Sequence, residues 1–228
     1  MTASHKLRVE RLGEEPWRVH IVGSGGVDRL RLTQVLDKAQ LAKMSGLTVE
    51  DDYVVLIHHP LNGMNNLAIE EINAAVNAAK RHGLHIIIGA PNSDPGSAAL
   101  YQHIQSLSGV EVYANLPRVE FINLLRHARV LMGNSSLAFH EADYLGLPAI
   151  NVGARQTGRQ HSGHILFTES TEVAVDKALN TVLHDVQYRE RLNPGQSFYG
   201  DGFMAEKTLQ ILLSLPIKSK LIAKQLTY

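Results

Sequence analysis

Three stretches of this chain carry groups suited to an anionic ligand. Gly133-Asn134-Ser135-Ser136 joins an apolar run, Val130–Met132, to an amphipathic stretch, Ser136–Leu145. A strand-to-helix junction of this kind offers unpaired backbone N–H groups at the positive end of a helix dipole, which suits phosphate. Glycine lets a ligand come close, and two serine hydroxyls add donors without bulk. The same residue types are preferred N-caps, and on this motif alone capping and phosphate binding weigh equally. Glu141 follows on the helix, where a carboxylate can accept hydrogen bonds from the paired hydroxyls of a ribose. Taken alone it reads more simply as a solvated helix residue, as its neighbour Asp143 does. Gly153-Ala154-Arg155-Gln156-Thr157-Gly158-Arg159 then supplies a glycine-punctuated loop in which Arg155 directly follows an apolar run and can reach a phosphate.

Other positions add to these. His59 stands at the end of an apolar run and is held extended by Pro60. Its imidazole can bind phosphate or carry a proton near neutral pH. His58 precedes it, and on extended backbone the two rings point to opposite faces, so at most one meets a ligand. Asn92 and Ser97 flank Asp94-Pro95-Gly96, a tight turn with Ser97 as helix cap, from which Asn92 can reach a ligand. Tyr199-Gly200-Asp201-Gly202 reads evenly as a plain turn or as a loop closing on a ligand. Val22-Gly23-Ser24-Gly25-Gly26 caps a helix beginning near Asp28. No metal-ligand spacing, Walker-type loop or Gly-x-Gly-x-x-Gly fingerprint is present, and no cofactor is expected.

The elements that must position these groups follow from periodicity. Strand-like runs are Val19–Val22, Tyr53–Ile57, His85–Ile88, Val110–Tyr113, Val130–Met132, Ala149–Val152 and Ile165–Phe167. Helix-like stretches are Asp28–Lys43, Leu67–His82, Ser97–Leu107, Arg118–His127, Ser136–Leu145, Glu172–His184 and Met204–Ser214. Alternation of the two predicts an α/β fold, a Rossmann-like parallel sheet with helices on both faces. In such folds ligands bind beyond the carboxyl ends of the strands, which is where the loops above must open.

Bulk properties narrow the classes. Lys+Arg and Asp+Glu number 22 each, so the balance gives no argument for nucleic acid or an anionic membrane surface. The absence of cysteine excludes disulfides, thiolate metal sites and cysteine nucleophiles. No signal peptide opens the chain and no apolar run is long enough to span a membrane, so a cytoplasmic location is expected.

In their order, His59-Pro60, Pro91-Asn92-Ser93-Asp94-Pro95-Gly96-Ser97, Gly133-Asn134-Ser135-Ser136 with Glu141, the Arg155–Arg159 loop and Tyr199-Gly200-Asp201-Gly202 resemble the UDP-N-acetylglucosamine 2-epimerases, most closely their hydrolysing branch. The resemblance runs from about Leu7 to Leu213. It implies the C-terminal domain of a two-domain glycosyltransferase-B architecture, with residues 1–22 a remnant of the first domain and interdomain segment and 23–228 the UDP-binding domain. It implies that Ser135, Ser136 and Arg155 contact the diphosphate, Glu141 the ribose and Asn92 the ligand. It implies further that Leu116 lies beside the uracil and that His59 is the residue important for activity. The implied reaction is loss of UDP to give a 2-acetamidoglucal, followed by hydration with inversion at C2. The carboxylates that move the C2 proton belong to a first domain absent from this sequence, so a separate N-terminal-half chain is an expected partner, and a homo-oligomer is compatible with it. Two alternatives stay open: a non-catalytic UDP-sugar-binding module, and half of a glycosyltransferase.

Overall fold

The computed structural model describes residues 1–49, 52–61, 64–216 and 218–224. Helix α1 (Ala3–Arg11) is capped by Thr2, whose hydroxyl accepts the His5 N–H at 3.3 Å. A 3₁₀ turn at Pro16–Arg18 follows, then α2 (Gly25–Leu32), capped by Ser24, and α3 (Lys38–Ser45), opened by a capping box of Asp37 and Gln40. The rest alternates: β1 (Tyr53–Ile57), α4 (Asn65–Arg81), β2 (His85–Gly89), α5 (Ser97–Ser106), β3 (Glu111–Tyr113), α6 (Arg118–His127) and β4 (Val130–Gly133). A π-helical turn at Ala138–Ala142 leads into α7 (Asp143–Leu145), followed by β5 (Ala149–Val152), β6 (Ile165–Thr168), α8 (Glu172–His184), α9 (Val186–Glu190), α10 (Met204–Leu213) and α11 (Lys218–Ile222).

All strand pairings are parallel, in the order β3-β2-β1-β4-β5-β6. Buried strands must be apolar on both faces, and β1 and β4 are buried throughout. Two cores result. Val54, Leu56, Ile86, Ile88, Met132 and Val152 meet the alanine-rich stripe of α4 and the Val175, Leu179 and Val182 face of α8. Val55, Ile57, Ile87 and Leu131 meet Leu41, Leu124 and Phe139 on the other side. The expected Rossmann-like class is what the chain adopts, and the strand order reverses between β1 and β4, where such sheets open a crevice.

Four expectations are corrected. Val19–Val22 forms no strand: Val19 ends the 3₁₀ turn, Ile21 is 47% exposed, and Gly23 packs its backbone against Gly200 instead of joining the sheet. The stretch Asp28–Lys43 is two helices. Asn123 breaks it by taking the Leu36 N–H on its side-chain oxygen and donating to the Gln34 carbonyl, at 2.9 and 2.8 Å, so Thr33 turns extended. Ser136–Leu145 is not a regular helix, because its middle turn widens into the π form. Ser97 begins α5 without capping it, the cap position falling to Gly96.

Residues 14–18 meet residues 220–224. Arg18 donates from Nη1 to the Leu221 carbonyl at 2.8 Å and from Nη2 to that of Lys220 at 3.1 Å, and Lys224 pairs with Glu14 at 2.6 Å. No helix among the described residues is long and apolar enough to cross a membrane.

Candidate functional site

The β1 and β4 strands end level, Ile57 opposite Gly133, and a row continues through Asn151 on β5. Gly133 can only be glycine. Its φ is 118°, and a Cβ there would stand 2.1 Å from the Ile57 carbonyl oxygen. This close approach carries Asn134 directly over the end of β1.

Asn134 is 1% exposed and organises the site. Its N–H donates to the Ile57 carbonyl at 3.2 Å. Its side-chain oxygen accepts the His59 N–H, and its side-chain amide donates to the His59 carbonyl, each at 2.8 Å. Its own carbonyl accepts from Arg155 Nη1 at 3.1 Å and Gln156 Nε2 at 2.8 Å. One buried amide thus fixes the loops after β1, β4 and β5.

His59 and His58 divide as expected. His58 turns into the interior, where its Nε2 lies 2.7 Å from Glu71 Oε2, and Ser170 donates to the other Glu71 oxygen at 2.8 Å. Glu71 also needs Gly153, because a Cβ there would stand 2.0 Å from Glu71 Oε1. His59 faces the loops. Its Nδ1 accepts the Asn92 backbone N–H at 3.1 Å, which leaves the ring proton on Nε2. Burial, followed by the charges of Arg155 and His58, lowers its pKa to about 4, so the free site holds a neutral imidazole that donates from Nε2.

Arg155 is half-buried, and its second guanidinium nitrogen lies 3.6 Å from Asp94. The Asn92 side chain is committed to its own turn, bonding Asp94 and accepting from Ser97 at 3.4 Å, so it meets His59 only through its backbone. Ser135 accepts the Leu137 N–H at 3.4 Å, the capping geometry, while the Ser136 hydroxyl has no hydrogen bond among the described residues. Leu116 lies in the loop after β3, packed against the second core. The structure therefore brings His59, Arg155 and the Asn134–Ser136 turn together. Leu116 joins the same sheet edge farther along it.

Glu141 is not a solvated helix residue. Burial raises its pKa to about 7, partly opposed by Arg29, and no hydrogen bond reaches its carboxylate among the described residues. It lies against the start of α2, where a Cβ on Gly26 would stand 2.7 Å from Oε1. Asp143 is more deeply buried, contrary to expectation. It accepts from Ser162 at 2.5 Å and from the Phe198 N–H at 2.7 Å, and His164 lies 3.1 Å away. His164 Nε2 in turn reaches the Ala138 carbonyl at 2.7 Å, which anchors the π turn that presents Glu141. Cavities of about 850 and 720 Å³ open elsewhere on this surface, neither lined by His59, Ser135 or Arg155.

Residues 1–213 match the sequence model of a family described as UDP-N-acetylglucosamine 2-epimerase. A relative from Legionella pneumophila, a UDP-N,N'-diacetylbacillosamine 2-epimerase (hydrolyzing), is 28% identical over 227 residues, covering 98% of this chain and 59% of its own. The UDP-N-acetylglucosamine 2-epimerase of Neisseria meningitidis serogroup B is 28% identical over 165 residues, covering 71% and 43%. Among solved structures, a UDP-GlcNAc 2-epimerase from Neisseria meningitidis bound to UDP-GlcNAc superposes with a TM-score of 0.75 at 17% identity, covering 94% of this chain and 60% of that one. One from Methanocaldococcus jannaschii, in complex with UDP-GlcNAc and UDP, gives 0.72 at 19% identity, covering 93% and 59%. At these identities the structures establish the shared fold. The chain spans 60% or less of the length of each of these relatives.

Proposed function

From a chain that belongs to the UDP-N-acetylglucosamine 2-epimerase family, we propose that this protein supplies the UDP-binding half of a hydrolysing epimerase. Residues 23–228 form the nucleotide domain in this reading, residues 1–22 the segment leading from a first domain, and the substrate is a UDP-sugar. The observation that carries it is the Asn134-centred joint, which holds His59, Arg155 and the β4 turn at one point of the sheet edge.

A diphosphate is gripped there by the Arg155 guanidinium, the Nε2–H of His59, the Ser136 hydroxyl and N–H groups of the turn. Glu141 takes the two ribose hydroxyls, whose donors its carboxylate lacks. Leu116 borders the base. When the bond from C1 of the sugar to the diphosphate oxygen breaks, negative charge grows on the leaving UDP, and these fixed donors lower the barrier. The proton leaves C2 as the 2-acetamidoglucal forms. Water then adds at C1 and a proton returns to C2 on the opposite face. That exchange needs an acid and a base. In this reading Glu141 is taken up by the ribose, and Asp94 is engaged with Arg155 and Glu71 with His58 and Ser170. A first domain outside these residues is therefore the proposed source.

The engaged carboxylates equally favour a second reading, a UDP-sugar-binding module without catalysis. One assay separates the two: UDP release and N-acetylmannosamine formation, with and without an added N-terminal half. The first reading predicts turnover only in the mixture. Turnover by this chain alone contradicts it, and no turnover in the mixture alongside intact UDP binding selects the second.

A further inference from the structure

Beyond the strand-end cluster, the loop that carries Arg155 continues into a second site. A pocket of about 310 Å³ opens between α1, the π turn and this loop, its lining including His5, Arg8, His140, Arg159, Gln160 and Tyr199. That volume lies at the lower end for small-molecule sites. No Asp or Glu lines it, and neither Arg8 nor Arg159 has an ion pair among the described residues. In a chain with equal numbers of acidic and basic residues, two unpaired guanidiniums at one pocket are a concentrated charge.

The pocket is also built. The Tyr199 ring lies 4.4 Å from that of His140, tilted by 52°, and stacks with His5 at 5.9 Å between centroids, and its hydroxyl donates to the Gln160 carbonyl at 2.7 Å. Arg159 Nη1 lies 3.4 Å from His140 Nε2, so that nitrogen accepts and the ring proton sits on Nδ1. His140 Nδ1 and Gln160 Oε1 are both buried without a partner. Such atoms are uncommon in folded proteins and call for an explanation. With under 1 Å² of either atom accessible, a ligand meets them only if the side chains turn, and the two arginines are the polar contacts the pocket offers as it stands. Burial lowers the pKa values of both histidines, and the neighbouring cations lower them further, Arg159 acting on each.

We infer that this pocket binds a monosaccharide-sized ring carrying one oxyanion group, phosphate or carboxylate. The two arginines take the oxyanion, and the Tyr199 and His5 rings border the sugar. The site is distinct from the diphosphate grip and does not depend on the reading of that grip as UDP-binding.

Calorimetric titration of the whole chain tests it, with glucose 6-phosphate and glucuronate as the two oxyanion arms and glucose and inorganic phosphate as controls. At least one oxyanion sugar binds tenfold or more tighter than either control. Changing Arg8→Gln and Arg159→Gln together, both at exposed positions, weakens it by about tenfold or more, since each removes a charged hydrogen bond. Arg155→Ala leaves it unchanged. The inference fails if the controls match both sugars, if the double variant binds normally, or if Arg155→Ala abolishes binding and so places the anion in the strand-end cluster.

Discussion

Two parts of the candidate site are held in opposite ways. Around Asn134 most polar atoms are paired with one another before any ligand arrives: the His59 backbone at both ends, Arg155 and Gln156 on one carbonyl, and His59 Nδ1 on the Asn92 N–H, with Gln156 Oε1 left over. Glu141 has no such partner, and is placed by the π turn and by packing against Gly26. The first part is an assembled frame whose loss is felt as loss of structure. The second is a half-buried carboxylate whose ionisation the free fold disfavours. A ligand therefore gains geometry from the frame and relieves an electrostatic penalty at Glu141.

Perturbations should separate the two along that line. Asn134→Ala has the largest effect, since it strands the His59 backbone groups. It should lower unfolding stability by about 2–4 kcal/mol in a denaturant titration, given what unpaired buried polar groups cost. Arg155→Ala keeps the fold and weakens UDP binding by about tenfold to a hundredfold, the loss of a charge-assisted contact.

Glu141→Gln acts in both directions. A carboxyl raised from 4.5 to about 7 holds its proton more tightly folded than unfolded, so the wild type loses stability as pH rises between those values. The variant escapes this loss: its melting temperature matches wild type at pH 4.5 and exceeds it at pH 8, by the equivalent of about 3 kcal/mol. Its UDP-glucose affinity falls at pH 8. His59→Asn has an effect of opposite sign. A histidine lowered to about 4 binds fewer protons folded than unfolded, so stability falls as pH drops from about 6.5 toward 4, and the variant flattens that slope. Asn92→Ala has the smallest effect on UDP affinity, within about twofold, because its side chain serves its own turn.

How much of this was readable beforehand differs between the same two parts. The frame was largely legible, since apolar runs of strand length ending in Gly133, His59 and Arg155 state their own position on a parallel sheet. The central role of Asn134 was hidden, because within a Gly-Asn-Ser-Ser junction an asparagine reads as one more cap. Glu71 left a faint signal: it sits three residues after Ala68 and four before Ala75, inside the buried stripe of α4, where a carboxylate needs a partner. Glu141 and Asp143 could not be ranked from sequence. Whether a helix carboxylate is solvated depends on what crosses over it, here α2, His164 and the Phe198 backbone. Helix breaks set by distant side chains, such as Asn123 on the Leu36 N–H, are equally invisible to periodicity.

The central claim, that this sheet edge grips a ribonucleoside diphosphate with Glu141 on the ribose, is tested most directly by calorimetry at pH 8 with UDP and 2′-deoxy-UDP. The account predicts that UDP binds and the deoxy nucleotide binds about tenfold more weakly, a difference that Glu141→Gln reduces. Equal affinity for the two nucleotides in the wild type, or no binding of UDP, would contradict it.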